Sequence, residues 1–411
     1  MIKAKNQGKS ERRVVVTGLG VISSLGIGWE EFWKNLMAGK SGISKITSFD
    51  TSAYDRHYGG EVRGFDAKKF ILVSKLKQMG KASQFAIAAT KLAIQDADLS
   101  LNYLRTEHAG VCIGTTMGES QIAEQIIKHT LVNKEKVRRA RVLLYPANSI
   151  SANVARYFRL VGENFVFANA CAAGNFAIGR AFDLIKAGKT NVMIAGGADA
   201  LSRSAFTGFR RMYAMAKQRC QPFDKNREGM ILGEGSGIVV LESLESAKKR
   251  KDRIYAEVLG YGLSCDAFHM TESSPVGVCS SIEKALRHSG IEKNKVDYIS
   301  AHGTGTKEND KAETVAINRV FAKNTKSIPV SSIKSMVGHT MGAGAALETI
   351  ACCLAIKNQR VPPTINLYEQ DPECVIDCVP NRSRRLKVNV VLNNSQAFGG
   401  NNAVIMFSAS E

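Results

Sequence analysis

Three side chains in this sequence could do chemistry together: Cys171 in ANACAAGNFAIGRA (168–181), His302 in AHGTGT (301–306) and His339 in SSIKSMVGHTMGAGAAL (331–347). Cys171 stands among alanines and a glycine, and the histidines among glycines, alanines and hydroxyl residues, which leave room for a substrate. Cys171 follows the apolar run NFVF (164–167) and precedes Phe176, Ile178, Ala181, Phe182 and Ile185, spaced near the helical period. A buried strand therefore turns into a helix at the thiol. The first helical N–H groups and the positive end of the helix dipole favour a thiolate there. Two chemistries remain open. A thiol hydrolase needs a Cys–His pair, and Cys171 precedes His302 by 131 residues, inside a spacing of about 130 to 150 found in one such class, although its flanks do not match C-G-[SA]-C-[WY]. An enzyme that forms carbon–carbon bonds through thioesters needs a nucleophile to hold an acyl group and two N–H donors to stabilise an enolate. Two histidines supply those donors.

The elements that must position these residues read as an alternation of strands and helices. RVVVTGLGV (13–21) is a buried strand ending in glycines, 81–97 an alanine-rich helix, 111–114 a strand, and 119–131 and 149–160 helices that lead to the cysteine strand. NVMIAGGA (191–198) repeats the strand-then-glycine pattern, and the loop PFDKNREGMILGEGSG leads into a strand at 238–241. A second cycle follows, with strands at 255–262, 298–300, 388–393 and 403–408 and helices at 280–289, 311–321 and 344–357. Such alternation predicts an α/β fold with largely buried sheets. The two cycles divide the chain into halves, 1–253 with the cysteine and 254–411 with the histidines.

Composition narrows the class. A chain of 411 residues with 44% hydrophobic content can bury a large core. Lys plus Arg number 56 against 37 acidic residues, a formal charge of +19. The basic residues cluster loosely at 68–81, 136–141, 248–253 and 382–387 with no nucleic-acid motif beside them, so an acidic protein partner explains the balance. Nine cysteines form no disulfide or zinc framework; Cys374 and Cys378 make a lone C-x3-C, and no metal site is expected. The basic start of the chain resembles a secretory signal, but the following run carries Thr17, Ser23 and Ser24 and lacks a cleavage pattern. No apolar run approaches the roughly 20 residues that span a bilayer. The expected location is the cytoplasm. Gly18-x-Gly20 has Ser23 at the third glycine position of a dinucleotide fingerprint, and Gly39-Lys40-Ser41 has Lys34 in place of the phosphate loop's first glycine. Both read as tight turns.

Taken together, ACAAG around Cys171, PFDKNREGMILGEGSG, AHGTGT, KSMVGHTMGAGA with Glu348, and the C-terminal FGG resemble the β-ketoacyl-acyl-carrier-protein synthases of the elongating type II kind. The resemblance runs from RVVVTGLGVISSLG to AFGGNNAVIMF. It implies a thiolase-like, five-layered αβαβα fold of two related halves, normally a homodimer. It implies that Cys171 takes an acyl chain from the phosphopantetheine arm of an acyl-carrier protein, with the backbone N–H groups of Cys171 and Phe398 as oxyanion hole. His302 and His339 would hold the thioester carbonyl of malonyl-carrier protein while carbon dioxide leaves and the carbanion attacks the acyl-cysteine. The arm is the substrate's carrier, and no permanently bound cofactor is implied.

The resemblance also gives Lys334 the support of the histidine site, with Glu348 as its ion-pair partner. Thr304 and Thr306 would hold the arm, Asp266 and Thr271 belong to a mobile loop beside the site, and Phe398 is a gate. Phe209 would wall the acyl pocket and Met117 limit chain length, while the basic clusters at 68–81 and 136–141 become docking surfaces for the carrier. The sequence departs from the family pattern at Gln396, Ala397 and Asn401, and at Tyr213 where a carrier-binding arginine is expected, with Arg210 and Arg211 nearby. These changes leave the chemistry intact and the substrate open between primary fatty-acid synthesis and a specialised lipid or polyketide pathway. The alternative, a non-catalytic chain-length-factor partner of another synthase, typically lacks the nucleophile that this chain retains.

Overall fold

The computed structural model describes residues 12–410. The basic segment that opens the chain lies, through residue 11, outside the described residues. Ten strands carry the frame: β1 (Val14–Ser23), β2 (Gly110–Gly114), β3 (Asn164–Phe167), β4 (Val192–Asp199) and β5 (Gly235–Ser243), then β6 (Ala256–Cys265), β7 (Tyr298–Ser300), β8 (Val330–Ser331), β9 (Val390–Ala397) and β10 (Asn401–Ser408). The first five lie in the order β3-β2-β4-β5-β1 and the second five in the order β8-β7-β9-β10-β6. These are the same permutation. In each set the strands at the β3 or β8 end run parallel and the last two pairings are antiparallel. A short ladder from Val14 opposite Val258 to Val16 opposite Ala256 joins the two sheets through β1 and β6.

Seven helices complete the layers: α1 (Lys81–Asp96), α2 (Ser149–Phe158), α3 (Ala173–Lys186), α4 (Arg203–Arg211), α5 (Pro275–Ser289), α6 (Lys307–Phe321) and α7 (Gly344–Asn358). α1 and α2 cover the outer face of the first sheet, and α5 with α6 the outer face of the second. α3 and α7 pack on each other between the sheets. The result is the expected five-layered αβαβα arrangement. α7 is buried on every side from Gly344 to Ile356, as an apolar helix without a polar face must be. Its Leu347, Ile350 and Leu354 share one core with Ile178 and Phe182 of α3 and with Val239 and Ile405 of the two sheets.

The local sequence explains most boundaries. All ten residues of β1 are buried, so its apolar run has no alternation. Gly20 lets α1 press on that strand, since a Cβ there would lie 1.9 Å from the Ala89 carbonyl oxygen. The Gly18-x-Gly20 pair thus serves close strand–helix packing. α5 begins at Pro275, five residues before its expected start, because proline is well placed in a first helical turn. α6 likewise begins at Lys307, while the expected helix at 119–131 splits into Ser120–Ile127 and a wider-turned segment Lys128–Val132. Of the strands and helices named above, two escaped the sequence reading. α4 starts where the Ser202 hydroxyl accepts from Ala205 N–H, a capping signal hidden by its basic composition, and β8 has only two residues. Among the described residues no helix is long and apolar enough to cross a membrane, and no group of three or more His, Cys, Asp or Glu is placed to hold a metal ion.

Candidate active site

Cys171 sits in a single tight turn, Ala170–Ala172, between β3 and α3. Ala170 adopts φ +46°, a left-handed conformation that costs a residue with a Cβ about 1 kcal/mol and swings the thiol to the helix start. The side chain is only 6% exposed, and burial pushes the thiol up to about 12 against the lowering effect of the Lys334 charge. The expected bias towards a thiolate is therefore reversed. Taking a thiolate out of water costs more here than the nearby positive charge returns.

His302 follows β7 directly. Its backbone N–H donates to Glu313 Oε1 at 2.7 Å and that of Gly303 to Glu313 Oε2 at 2.8 Å, while Asn394 Nδ2 on β9 donates to the same carboxylate at 2.6 Å. Glu313 is fully buried and its carboxyl is raised to about 7 by burial. It is a positioning residue that the sequence reading missed. His339 lies between β8 and α7, its backbone N–H on the Ile231 carbonyl at 2.6 Å. Its Nδ1 accepts from Met341 N–H at 3.3 Å, which assigns the ring proton to Nε2. The two imidazoles stand 5.4 Å apart at 86°. His302 Nδ1 and His339 Nε2 meet no hydrogen-bond partner among the described residues. Burial, and then the Lys334 charge, hold both rings well below the usual histidine range. Both are neutral.

Lys334 and Glu348 form a buried ion pair, each 1% exposed, through Nζ and Oε1. Burial raises Glu348 to about 7 although Lys334 opposes it. The pair does not line the cavity, but the lysine's charge reaches Cys171, His302 and His339. A second missed residue, Asp199 at the end of β4, accepts from Thr115 Oγ1 and from the N–H groups of Thr116, Met117 and Gly342 at 2.7–2.9 Å. It ties the loop after β2 to the His339 loop. An acid closing an apolar strand is the signal that could have revealed it.

A cavity of about 930 Å³ brings Cys171, His302, His339, Phe209, Phe398, Thr271, Thr304 and Thr306 onto one wall system. The Phe209 and Phe398 rings are 5.8 Å apart, and Thr304 and Thr306 share a hydroxyl hydrogen bond of 2.9 Å. Gly399 and Gly400, at φ +79° and +74°, turn the chain sharply behind Phe398, and Gly399 N–H donates to Met270 O at 2.8 Å. Besides Lys334 and Glu348, two more of the sequence-predicted residues fall outside the cavity. Met117 packs beside the cluster of Phe209, Met341 and Phe398 but does not line the space. Asp266 is spent on structure: its carboxylate accepts from Ser274 N–H at 2.8 Å and Asn402 Nδ2 at 2.6 Å, which anchors the loop that carries Thr271. The basic clusters at 68–81 and 136–141 border a different groove, of about 1330 Å³, that shares no residue with the Cys171 cavity.

A doubled α/β sandwich with a thiol at the start of one central helix defines a thiolase-like ketosynthase fold. The sequence matches the family described as Beta-ketoacyl synthase, N-terminal domain, over residues 11–247 and its C-terminal domain over residues 255–368. The chain belongs to the beta-ketoacyl synthases. It is 41% identical to 3-oxoacyl-[acyl-carrier-protein] synthase 2 of Synechocystis over 97% of this chain and 98% of that one. A solved structure titled the ishigamide ketosynthase/chain length factor is 44% identical, with a TM-score of 0.95 over 98% of this chain and all of the other. A type II PKS acyl-carrier protein in complex with its ketosynthase bound to the hexaketide gives 33% identity and a TM-score of 0.91, over 98% and 100% of the two chains.

Proposed function

We propose that this synthase joins an acyl group held on Cys171 to malonyl-acyl-carrier protein, giving 3-oxoacyl-carrier protein and carbon dioxide. The observation that carries the reading is the single cavity in which the thiol faces two neutral imidazoles. Cys171 Sγ attacks the acyl thioester, its proton passes to the departing pantetheine thiol, and the Cys171 and Phe398 N–H groups receive the transient oxyanion. Malonyl thioester then enters, with its carbonyl on the ring N–H groups of His302 and His339. The bond to the carboxylate breaks, the electron pair remains as an enolate, and C2 attacks the acyl-Cys171 carbonyl. The cysteine leaves as a thiolate and is reprotonated. Burial, helped by the Lys334 charge, keeps the imidazoles neutral and so able to donate without protonating the enolate, and Glu348 pairs with the lysine.

Phe398 and Phe209 gate and wall the acyl side, Thr304, Thr306 and Thr271 line the arm's path, and Met117 sets the depth indirectly by packing behind Phe209. The carrier approaches the cavity where Lys225, Lys307 and exposed Met212 and Tyr213 line it, with Arg211 next to Met212 in the chain. The clusters at 68–81 and 136–141 then act as a steering field and not as the contact itself. A second copy of the chain packs on the first half, supported by the free edge of β3 and by exposed Ile127, Leu131, Val132 and Leu143. The halves divide at residue 253, and the protein works in the cytoplasm. Purified protein given acyl- and malonyl-carrier proteins forms the 3-oxoacyl product in this reading. Activation of another synthase with no product of its own would favour the chain-length-factor role.

A further inference from the structure

Gln396 lines the cavity and is 1% exposed, yet neither Nε2 nor Oε1 of its amide meets a hydrogen-bond partner among the described residues. A buried carboxamide without partners is costly, so a group that enters the cavity must supply what the protein does not. The strand fixes which side of the site it serves. Along β9, Asn393 Nδ2 donates to Ala345 O and Thr349 Oγ1 on central helix α7, at 2.9 and 3.0 Å. Asn394 points the other way, to Glu313 and the His302 loop. Side chains alternate across a strand, so Gln396 shares the face of Asn394. It lies on the face of β9 that turns to the His302 loop, in the cavity that both histidines line.

There the reaction brings a thioester carbonyl, which the imidazoles take, and a free carboxylate, which is an acceptor without a partner. We infer that Gln396 is a positioning and specificity residue for the extender unit, its Nε2–H receiving the malonyl carboxylate. This rests on the proposed condensation. A neutral donor suits a carboxylate that must be lost, because a cation would bind the ground-state charge more strongly than the transition state from which that charge is departing. Arg227, the buried cation of the lining, is already engaged by Asp310 and Asp371.

The test separates two half-reactions in the full-length protein. Malonyl-carrier decarboxylation is measured in the Cys171→Gln background, and loading of Cys171 from acyl-carrier protein is followed by intact mass in the otherwise unaltered chain. Gln396→Leu raises KM for malonyl-carrier protein about tenfold while acyl loading stays unchanged. Gln396→Glu raises it further, because a carboxylate then meets a carboxylate. Gln396→Met, of similar shape, repeats the leucine result and guards against a packing artefact. Unaltered decarboxylation in the leucine variant, a glutamate variant no worse than leucine, or loss of loading in a variant that melts like the parent overturns the assignment. Failure of the parent chain to form any 3-oxoacyl product would instead overturn the condensation itself.

Discussion

The two halves repeat one strand order, yet they carry different chemistry at matching places. In the first half the chain leaves β3, makes one tight turn at Cys171 and enters central helix α3. In the second it leaves β8, passes Lys334 and His339 through a longer connection, and enters central helix α7. His302 follows β7 as Thr115–Met117 follow β2. The Cys171 thiol and the His339 imidazole are therefore topological counterparts. Burial acts on both and moves them in opposite directions, because a thiol is charged when it loses its proton and an imidazole when it gains one. One physical cause leaves both groups neutral.

The largest test of that division exchanges the losses. Cys171→Gln abolishes condensation but leaves malonyl decarboxylation measurable, whereas His339→Ala lowers decarboxylation by about a hundredfold or more and still permits acyl loading. Loss of decarboxylation in a folded Cys171→Gln protein would erase the comparison.

The next effect is on stability. Lys334→Ala strands Glu348 and costs about 3–5 kcal/mol near pH 8. Glu348 is raised to about 7 in the folded chain. A folded state that binds more protons than the unfolded one loses stability as pH rises above the unfolded carboxylate's pKa. The deficit thus shrinks at pH 5, and Lys334→Met with Glu348→Leu recovers most of it. Thermal melting at the two pH values checks this.

Alkylation sharpens the contrast at the thiol. With Cys171 pushed up to about 12, its rate with iodoacetamide climbs about tenfold per pH unit between about pH 7 and 10. A plateau below about pH 8 would mean that the helix end outweighs burial after all. The smallest effect is on encounter: carrier binding weakens with salt, and charge reversal at 136–141 changes the association rate more than the dissociation rate. Equal rates at low and high salt would remove the steering role.

Much of the fold was legible because its signals are local. Buried strands without alternation, small residues at their ends and helical periodicity mark β1, β4, α1 and α3 along the chain. β8 was not legible, since two residues carry no period, nor was α4, whose capping serine precedes an arginine-rich stretch. The site divides in the same manner. Cys171, His302, His339, Lys334 and Glu348 stand in motifs, whereas Glu313 and Asp199 act through backbone N–H groups supplied by other segments. The resemblance sets Asp266 in a loop beside the site without saying what its carboxylate does; only the fold commits that carboxylate to Ser274 and Asn402.

By itself the sequence carried the α/β alternation and set Cys171, His302 and His339 in motifs, because these signals are local; the residue types left two chemistries open, and the resemblance of the motifs taken together chose between them. Only the tertiary structure decided the protonation states, since desolvation depends on what packs around a group. It alone separated the basic clusters from the cavity, left Met117 behind the wall, and turned Gln396 from an odd letter before FGG into an unpaired amide in the cavity that both histidines line.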